Sequence, residues 1–272
     1  MNYKELLLKE VEPKLGESDA KLRIYISERN ECVSLRPGML VCPGGGYSFC
    51  SPREAEIIAY RFLSEGFNCF VLTYSVKKKY PAPHRDLTVA FSYIRKHEAE
   101  FDLLPNSLSL VGFSAGGHLV GSYSYLYEEL AKEFSYDAKT LKPLTVVMGY
   151  PVTLMGEDGE NETKRNIAAG DEELKKKLNI PDHISRAYPP TFLWTTKDDQ
   201  LVKSINSVLL EESLTKHGVL HLCKIYESGP HGLSLANRSC YAKEGLSDKL
   251  RPVREWASDA SDFIFKVLDA RK

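Results

Sequence analysis

A serine between small residues is the first group in this sequence whose setting could do chemistry. Residues 112–116 read Gly-Phe-Ser-Ala-Gly, which is the pattern G-x-S-x-G. The pattern follows the strand-like run Ser109–Val111 and opens onto a helical run that contains Leu119 and Val120. A strand–turn–helix of this kind lifts a sharply turned serine into a cleft, and small neighbours let it avoid a clash. We predict that Ser114 is a nucleophile in covalent catalysis; the alternative is a glycine-rich turn without a chemical role.

A serine hydroxyl becomes an effective nucleophile beside a base that is itself oriented by a carboxylate. His231 lies in the segment Glu-Ser-Gly-Pro-His-Gly, directly after the strand-like run Leu220–Tyr226. Asp198 and Asp199 follow the strand-like run Thr191–Trp194. Of the other six histidines, five lack such a loop after a strand and one follows the serine motif on its helix, so we expect structural roles for them.

A glycine-rich segment supplies the third requirement, which is a set of donors for a developing negative charge. Pro-Gly-Gly-Gly-Tyr at residues 43–47 follows the strand-like run Met39–Cys42. Three glycines allow the backbone to turn its N–H groups towards an oxyanion. A nucleotide-phosphate loop is the alternative, but the segment lacks both the Walker lysine and the G-x-G-x-x-G spacing. The sequence favours an oxyanion-binding loop.

Short apolar runs alternate with amphipathic stretches along the whole chain, and this alternation predicts the elements that position the motifs. Apolar residues at helical spacing predict helices over residues 55–62, 87–94 and 253–267. Ser51-Pro52-Arg53-Glu54 predicts a capped start for the first of them, with Glu54 as the capping-box glutamate. We expect an α/β fold with a mostly parallel central sheet and helices on both faces. The predicted strands are Met39–Cys42, Cys69–Tyr74, Leu108–Val111, Leu144–Met148, Thr191–Trp194 and Leu220–Tyr226.

The 272 residues contain no linker or repeat, so we expect a single domain over residues 1–272. The irregular part is residues 156–185, a stretch dense in both signs of charge. A long connection of this kind is a candidate lid or insertion over a substrate site; a solvated excursion is the alternative.

Charge and cysteine content exclude several classes of protein. A formal net charge of −1 gives no field that would attract nucleic acid or an anionic membrane. No apolar run has the length of a membrane span, and the N-terminus lacks the apolar core of a signal peptide. The six cysteines include no C-x-x-C pair and no metal-ligand spacing. We expect a reduced, cytoplasmic protein without a metal site.

The motifs together resemble the α/β-hydrolase superfamily, and within it a small esterase/lipase-like group that includes acetyl-xylan-esterase-like proteins. The resemblance covers roughly residues 39–267. It rests on Pro-Gly-Gly-Gly-Tyr, Gly-Phe-Ser-Ala-Gly-Gly-His, Tyr-Pro-Pro-Thr-Phe-Leu-Trp with Asp-Asp-x-x-Val, and Gly-Pro-His-Gly-Leu. The family usually has a histidine before the three glycines, where this sequence has Pro43. Any hydrogen bond made by that histidine is therefore lost here.

This resemblance implies roles for individual residues. Ser114 corresponds to the nucleophile and His231 to the general base and acid. Asp199 corresponds to the orienting carboxylate, because the family aspartate stands three residues before a valine, as Asp199 stands before Val202. The implied oxyanion donors are the backbone N–H groups of Gly45, Gly46 and Ala115, and we expect Tyr47 and Phe113 to contact the substrate.

The resemblance implies a serine carboxylic-ester hydrolase that acts through an acyl-enzyme on short-chain acyl esters, acetylated sugars among them. Its partner would be a small-molecule ester, with no cofactor. The charged composition of residues 156–185 also favours short acyl groups, because a long chain needs an apolar wall. Amide hydrolases of the arylformamidase-like or peptidase-like kind use the same three groups and are the alternative. A non-catalytic binding module is the rival of another class, against which the complete set of three groups argues. The sequence carries no signal for an oligomeric state.

Overall fold

The computed structural model describes residues 2–156, 162–240 and 248–271. In that part of the chain eight strands form one sheet in the order β1-β2-β4-β3-β5-β6-β7-β8. The six strands β4-β3-β5-β6-β7-β8 run parallel to one another. Strand β2 pairs antiparallel with β4, and β1 pairs antiparallel with β2 at that edge of the sheet. The strands are β1 (Asn2–Leu7), β2 (Lys21–Ile26), β3 (Arg36–Cys42), β4 (Asn68–Thr73), β5 (Leu103–Phe113), β6 (Val146–Gly149), β7 (Thr191–Thr196) and β8 (His221–Tyr226).

Helices cover both faces of the sheet, as expected for an α/β fold. Successive residues of a strand point to opposite faces, so Leu40 joins one core while Met39 and Val41 join the other. The first core contains buried residues of α3, α4 and α7, and the second contains those of α2 and α8. The helices are α1 (Leu8–Val11), α2 (Glu56–Ser64), α3 (Ala82–Lys96), α4 (Ala115–Phe134), α5 (Glu162–Ala168), α6 (Glu172–Leu178), α7 (Ile205–Lys216) and α8 (Trp256–Asp269).

All six strands expected from the sequence are present, with small differences in their bounds, and β1 and β2 were not expected. β2 has buried Leu22 and Ile24 alternating with partly exposed Lys21 and Arg23, so it contains no continuous apolar run. β1 is an edge strand with four exposed residues. Both strands therefore lack the apolar run that marks a strand buried on both faces.

The start of α2 differs from the expected capping box. A 3₁₀ turn occupies Pro52–Glu54, and α2 begins at Glu56. Ser51 makes no side-chain cap hydrogen bond. Glu54 is only 3% exposed and is directed into the protein, where it accepts hydrogen bonds from other loops. The Glu54 carboxylate therefore accepts from donors in the protein interior and not from the N-terminus of α2.

The charged segment at residues 156–185 packs near the glycine-rich loop, at the carboxyl ends of the strands. Residues 157–161 are outside the described part; α5, α6 and a 3₁₀ turn at Ile180–His183 follow. Ile167, Leu178 and Ile180 are fully buried. The side-chain amide of Asn166 donates to the Gly46 carbonyl oxygen at 2.8 Å. The segment is thus anchored to the core by apolar burial and to the glycine-rich loop by a hydrogen bond.

Two features are absent from the described residues. No helix there has both the length and the hydrophobicity to cross a bilayer. In the same ranges no group of three or more His, Cys, Asp or Glu side chains is arranged to hold a metal ion.

Candidate active site

Ser114 occupies the sharp turn between β5 and α4, at the carboxyl end of the central strand. Its backbone has φ 52° and ψ −117°, a conformation that non-glycine residues rarely adopt. The turn requires close approach of two chain segments: a β-carbon on Gly116 would lie 2.1 Å from the Cys42 carbonyl oxygen. The Ser114 N–H donates to the Gly149 carbonyl oxygen at 3.0 Å, which ties the turn to β6. The strained turn holds the hydroxyl towards a cleft at the end of the sheet.

Ser114, His231 and Asp199 form one continuous hydrogen-bonded chain. His231 Nε2 lies 2.9 Å from Ser114 Oγ, and His231 Nδ1 lies 2.7 Å from Asp199 Oδ2. A carboxylate can only accept, so Nδ1–H donates to Asp199 and Nε2 is left to accept the serine proton. The three loops follow β5, β7 and β8, whose parallel carboxyl ends meet at one edge of the sheet.

The neighbouring carboxylates Asp198 and Asp199 are held by different partners. The Asp199 side chain is 1% exposed, and its Oδ1 accepts the N–H groups of Leu201 and Val202, both at 2.9 Å. Asp198 instead accepts the Ser228 hydroxyl at 2.7 Å and the Gly229 N–H at 2.6 Å. The hydroxyl of Ser228 lowers the pKa of Asp198. Asp199 thus faces the imidazole, and Asp198 fixes the loop that carries it.

The glycine-rich loop presents backbone N–H groups to the same cleft. Gly45 and Gly46 have φ values of 122° and 62°, in the region that favours glycine. Their carbonyl oxygens accept hydrogen bonds from the Ser48 N–H and the Asn166 amide, respectively. Within residues 2–156, 162–240 and 248–271 no acceptor takes the N–H of Gly45 or Gly46. The N–H of Ala115, the first residue of α4, likewise has no partner within its helix.

A buried carboxylate supports this loop, and the sequence did not reveal it. Glu54 Oε2 accepts the Gly44 N–H at 2.9 Å, and Glu54 Oε1 accepts the Tyr150 hydroxyl at 2.6 Å. The Tyr150 oxygen in turn accepts the Ser234 N–H at 3.0 Å, and its ring packs against the His231 ring with centroids 4.9 Å apart. Burial and the adjacent Glu54 raise the pKa of Tyr150, so its hydroxyl keeps its proton. One carboxylate therefore links the glycine-rich loop to the histidine loop.

Pro43 stands where the family resemblance implied a histidine, and its carbonyl oxygen has a partner of its own. It accepts the Tyr74 hydroxyl at 2.7 Å, a bond between two buried residues. The loop is thus fixed at Pro43 and at Gly44 without the missing imidazole.

The expected substrate contacts of Tyr47 and Phe113 are wrong. Tyr47 is fully buried, and its hydroxyl donates to His118 Nδ1 at 2.9 Å. Phe113 is also fully buried, against Tyr150 and Trp256. Both residues lie within their motifs, but their side chains point into the two cores and not into the cleft.

The cleft above Ser114 has a volume of about 170 Å³ and a mixed lining. Apolar side chains border it, including the exposed Phe49 and Leu201. Charged residues border it as well. The lining comprises Gly45, Gly46, Phe49, Ser51, Arg53, Glu54, Ser114, Glu162, Thr163, Leu201, Val202, His231 and Gly232. The arrangement can deprotonate a serine hydroxyl beside free N–H donors, which is the chemistry of acyl transfer.

Two curated proteins match about three quarters of this chain in sequence. The chain is 30% identical over 211 residues to endo-1,4-beta-xylanase B of Butyrivibrio fibrisolvens, covering 74% of this chain and 33% of that protein. It is 27% identical over 223 residues to an acetylxylan esterase of Xylanibacter ruminicola, covering 76% of this chain and 43% of that protein. The chain thus spans less than half the length of these two curated relatives.

A solved structure matches over nearly its whole length. The acetyl ester-xyloside bifunctional hydrolase of Caldicellulosiruptor lactoaceticus has a TM-score of 0.84 at 29% identity, covering 97% of this chain and 96% of that chain. The match to the BD-FAE family spans residues 22–214, most of the chain. The chain therefore belongs to the BD-FAE family, and its fold is that of the α/β-hydrolase superfamily.

Proposed function

We propose that this chain is a serine carboxylic-ester hydrolase that acts through an acyl-enzyme on short-chain acyl esters, acetylated sugars among them. The observation that carries the proposal is the hydrogen-bonded chain Ser114–His231–Asp199, which ends in a cleft beside free backbone N–H groups. The names of two relatives, an acetylxylan esterase and an acetyl ester-xyloside hydrolase, support the substrate class.

Acylation begins when Ser114 Oγ attacks the ester carbonyl carbon and its proton passes to His231 Nε2. The carbonyl oxygen gains a negative charge, which the N–H groups of Gly45, Gly46 and Ala115 stabilise as an oxyanion hole. The carbon–oxygen bond to the alcohol then breaks, and His231 gives its proton to the departing oxygen. An alcohol leaves and the acyl group stays on Ser114.

Deacylation repeats these steps with water. His231 takes a proton from water, the hydroxide attacks the acyl carbon, and Ser114 Oγ leaves with the proton from His231. Asp199 stabilises the imidazolium in both half-reactions. Side chains, backbone N–H groups and water are sufficient for every step.

The preference for short acyl groups rests on the composition of the cleft. A buried methylene contributes about 0.8 kcal/mol, roughly four-fold in affinity, only where an apolar wall receives it. The charged segment at residues 156–185 contributes Glu162 and Thr163 to the lining. Its apolar residues Ile167, Leu178 and Ile180 are buried in the protein and are not available to a substrate.

Labelling with a fluorophosphonate probe, followed by intact-mass measurement, tests the nucleophile. We expect one adduct on the unmodified protein and none on Ser114→Ala. Ser51→Ala is the matched control, because Ser51 also lines the cleft but lies outside the hydrogen-bonded chain; it should keep the adduct. An adduct that persists on Ser114→Ala would place the nucleophile elsewhere.

Turnover of model substrates tests the reaction and the acyl group. We expect kcat/KM to be highest for p-nitrophenyl acetate, lower for the butyrate and poor for the octanoate at equal ionic strength. A steady rise from two to eight carbons would contradict the short-acyl proposal. Faster turnover of a formyl-anilide than of p-nitrophenyl acetate would favour the amide-hydrolase alternative.

A further inference from the structure

An arginine lies beside the histidine loop at the mouth of the cleft. Arg53 belongs to the 3₁₀ turn Pro52–Glu54, and a β-carbon on Gly232 would lie 2.6 Å from Arg53 Nη2. Gly232 directly follows His231, and Arg53, Gly232 and His231 all line the cleft. The guanidinium therefore contacts the loop that carries the proposed base.

The Arg53 guanidinium has no acceptor among the residues that the structure describes, and the two nearby carboxylates have other partners. Glu54 is occupied by the Gly44 N–H and the Tyr150 hydroxyl. Glu162, the other acid in the cleft lining, accepts the Ser48 hydroxyl. The fork of N–H donors on Arg53 thus remains available to a ligand.

The backbone of Arg53 is nevertheless held in place. Its carbonyl oxygen accepts the Ser234 hydroxyl, and Ser234 is fully buried in the histidine loop. A charged group on an anchored turn can bind a substrate with less loss of conformational entropy than one on a free loop. The side chain of Arg53 is itself exposed, so its guanidinium is accessible to a ligand while its backbone is fixed.

The chemistry of the site decides which part of an ester faces Arg53. The departing oxygen must receive its proton from His231 Nε2, so the alcohol half lies on the histidine side. The carbonyl oxygen lies among the N–H donors of Gly45, Gly46 and Ala115. Because Arg53 contacts Gly232, next to His231, its guanidinium borders the alcohol half.

We propose that Arg53 is a specificity-determining residue that binds a carboxylate carried by the alcohol half of the ester. The planar guanidinium matches a carboxylate through two parallel hydrogen bonds. The substrate class would then be acyl esters of hydroxy acids, including sugar acids. This inference rests on the proposed esterase function and adds the chemistry of the leaving group.

A pair of aryl acetates of similar shape tests the inference. The anionic member is 3-acetoxybenzoate and the neutral member is 3-acetoxybenzamide; the quantity measured is the ratio of their kcat/KM values. We expect the anionic ester to be preferred by about ten-fold or more, in the range of a charge-assisted hydrogen bond. Added salt should reduce the ratio.

Three variants separate Arg53 from general charge effects. Arg53→Gln should abolish the preference, and Arg53→Lys should keep part of it, because an ammonium retains the charge without the fork. Arg186→Gln is the matched control, because Arg186 is exposed and lies near the amino end of β7, whereas the cleft lies at the carboxyl ends of the strands. This variant should keep the full ratio.

Two results would overturn the inference. One is a ratio that Arg53→Gln leaves unchanged. The other is a preference that appears for an anionic acyl half, as in p-nitrophenyl hemisuccinate, and not for an anionic alcohol half. Failure of the unmodified protein to hydrolyse either aryl acetate would instead contradict the proposed esterase function, so the two failures are distinguishable.

Discussion

Asp198 and Asp199 show how two identical neighbouring side chains acquire different tasks. Asp199 Oδ2 accepts from His231 Nδ1 at 2.7 Å, whereas Asp198 accepts from Ser228 and Gly229. Asp198 lies in the turn that follows β7 and faces Ser228 and Gly229, so only Asp199 reaches the imidazole. The resemblance to a known family assigned this role to Asp199, and the geometry supports that assignment.

Asp199→Asn should lower kcat by orders of magnitude, because an amide nitrogen facing Nδ1 favours the wrong imidazole tautomer. The same change in serine proteases costs on the order of 10⁴ in kcat. The measurement is kcat for p-nitrophenyl acetate, with the folded fraction checked by circular dichroism. Asp198→Asn is the matched control and should be mild, since the asparagine oxygen can still accept the Gly229 N–H. The reverse ranking of the two variants would show that Asp198 orients the histidine.

At the level of elements, Glu54 connects three loops that are distant in sequence. It accepts from Gly44 in the glycine-rich loop and from Tyr150, which follows β6. Tyr150 accepts from Ser234 in the histidine loop. The carboxylate therefore sets the position of the oxyanion donors relative to the base, without contacting the reacting atoms in the proposed mechanism.

Glu54→Gln should reduce kcat by about ten-fold with a smaller change in KM. Glutamine has one acceptor oxygen where glutamate offers two, so either the Gly44 N–H or the Tyr150 hydroxyl loses its partner. Removing one oxyanion donor costs about 10²–10³ in kcat, and displacing the loop should cost less. A buried donor left unpaired should also lower the free energy of unfolding by about 1–3 kcal/mol.

The matched control for this change is Glu56→Gln. Glu56 lies two residues further on, is half-buried, and pairs with Arg23 on β2. It should leave kcat near that of the unmodified protein. Tyr150→Phe, which removes the hydroxyl that bridges Glu54 and Ser234, should reproduce the kcat loss of Glu54→Gln. A loss in stability without a loss in kcat for both Glu54→Gln and Tyr150→Phe would reduce Glu54 to a structural role.

Elements differed in how far the sequence could predict them. Strands β3 to β8 were found from their apolar content, because most of them are buried on both faces. Residues 156–185 were harder, because Lys and Glu dominate the composition while Ile167, Leu178 and Ile180 provide the buried anchor. A few apolar residues in a charged stretch do not reveal how deeply they are packed.

The same distinction applies to the candidate site. Ser114, His231 and the glycine-rich loop were located by local motifs, whereas choosing Asp199 over Asp198 required a family resemblance. Glu54 was interpreted as a helix cap, because its true partner Tyr150 is 96 residues away in sequence. Arg53 was likewise assigned no role in the site. Contacts between distant loops leave no local sequence pattern, so only the folded chain shows them.

The cytoplasmic location inferred from the cysteines stays a prediction.

At the scale of the whole molecule, a buried polar cluster joins the glycine-rich loop to α6. His118 Nε2–H donates to the Leu178 carbonyl oxygen at 3.1 Å, so Nδ1 accepts the Tyr47 hydroxyl. Burial lowers the pKa of His118 to about 4. His84, also fully buried, has its pKa lowered by burial in the same direction. Neutral imidazoles are therefore part of the folded state.

This cluster should make the protein less stable in mild acid. Above pH 6.5, the ordinary pKa of histidine, His118 is neutral in both the folded and the unfolded chain. Between pH 6.5 and about 4 only the unfolded chain binds the proton, so the free energy of unfolding falls as the pH falls through this window. By pH 5 the loss due to His118 should be about 2 kcal/mol.

Urea unfolding at pH 7.5 and pH 5, compared between the unmodified protein and His118→Gln, isolates this contribution. Glutamine does not titrate, and its amide can both donate to Leu178 and accept from Tyr47. The variant should therefore lose about 2 kcal/mol less than the unmodified protein between the two pH values. His221→Gln, on the edge strand β8, controls for the loss of a histidine as such. Because the carboxylates common to both proteins titrate alike, equal losses in the unmodified protein and His118→Gln would show that His118 does not contribute to acid sensitivity.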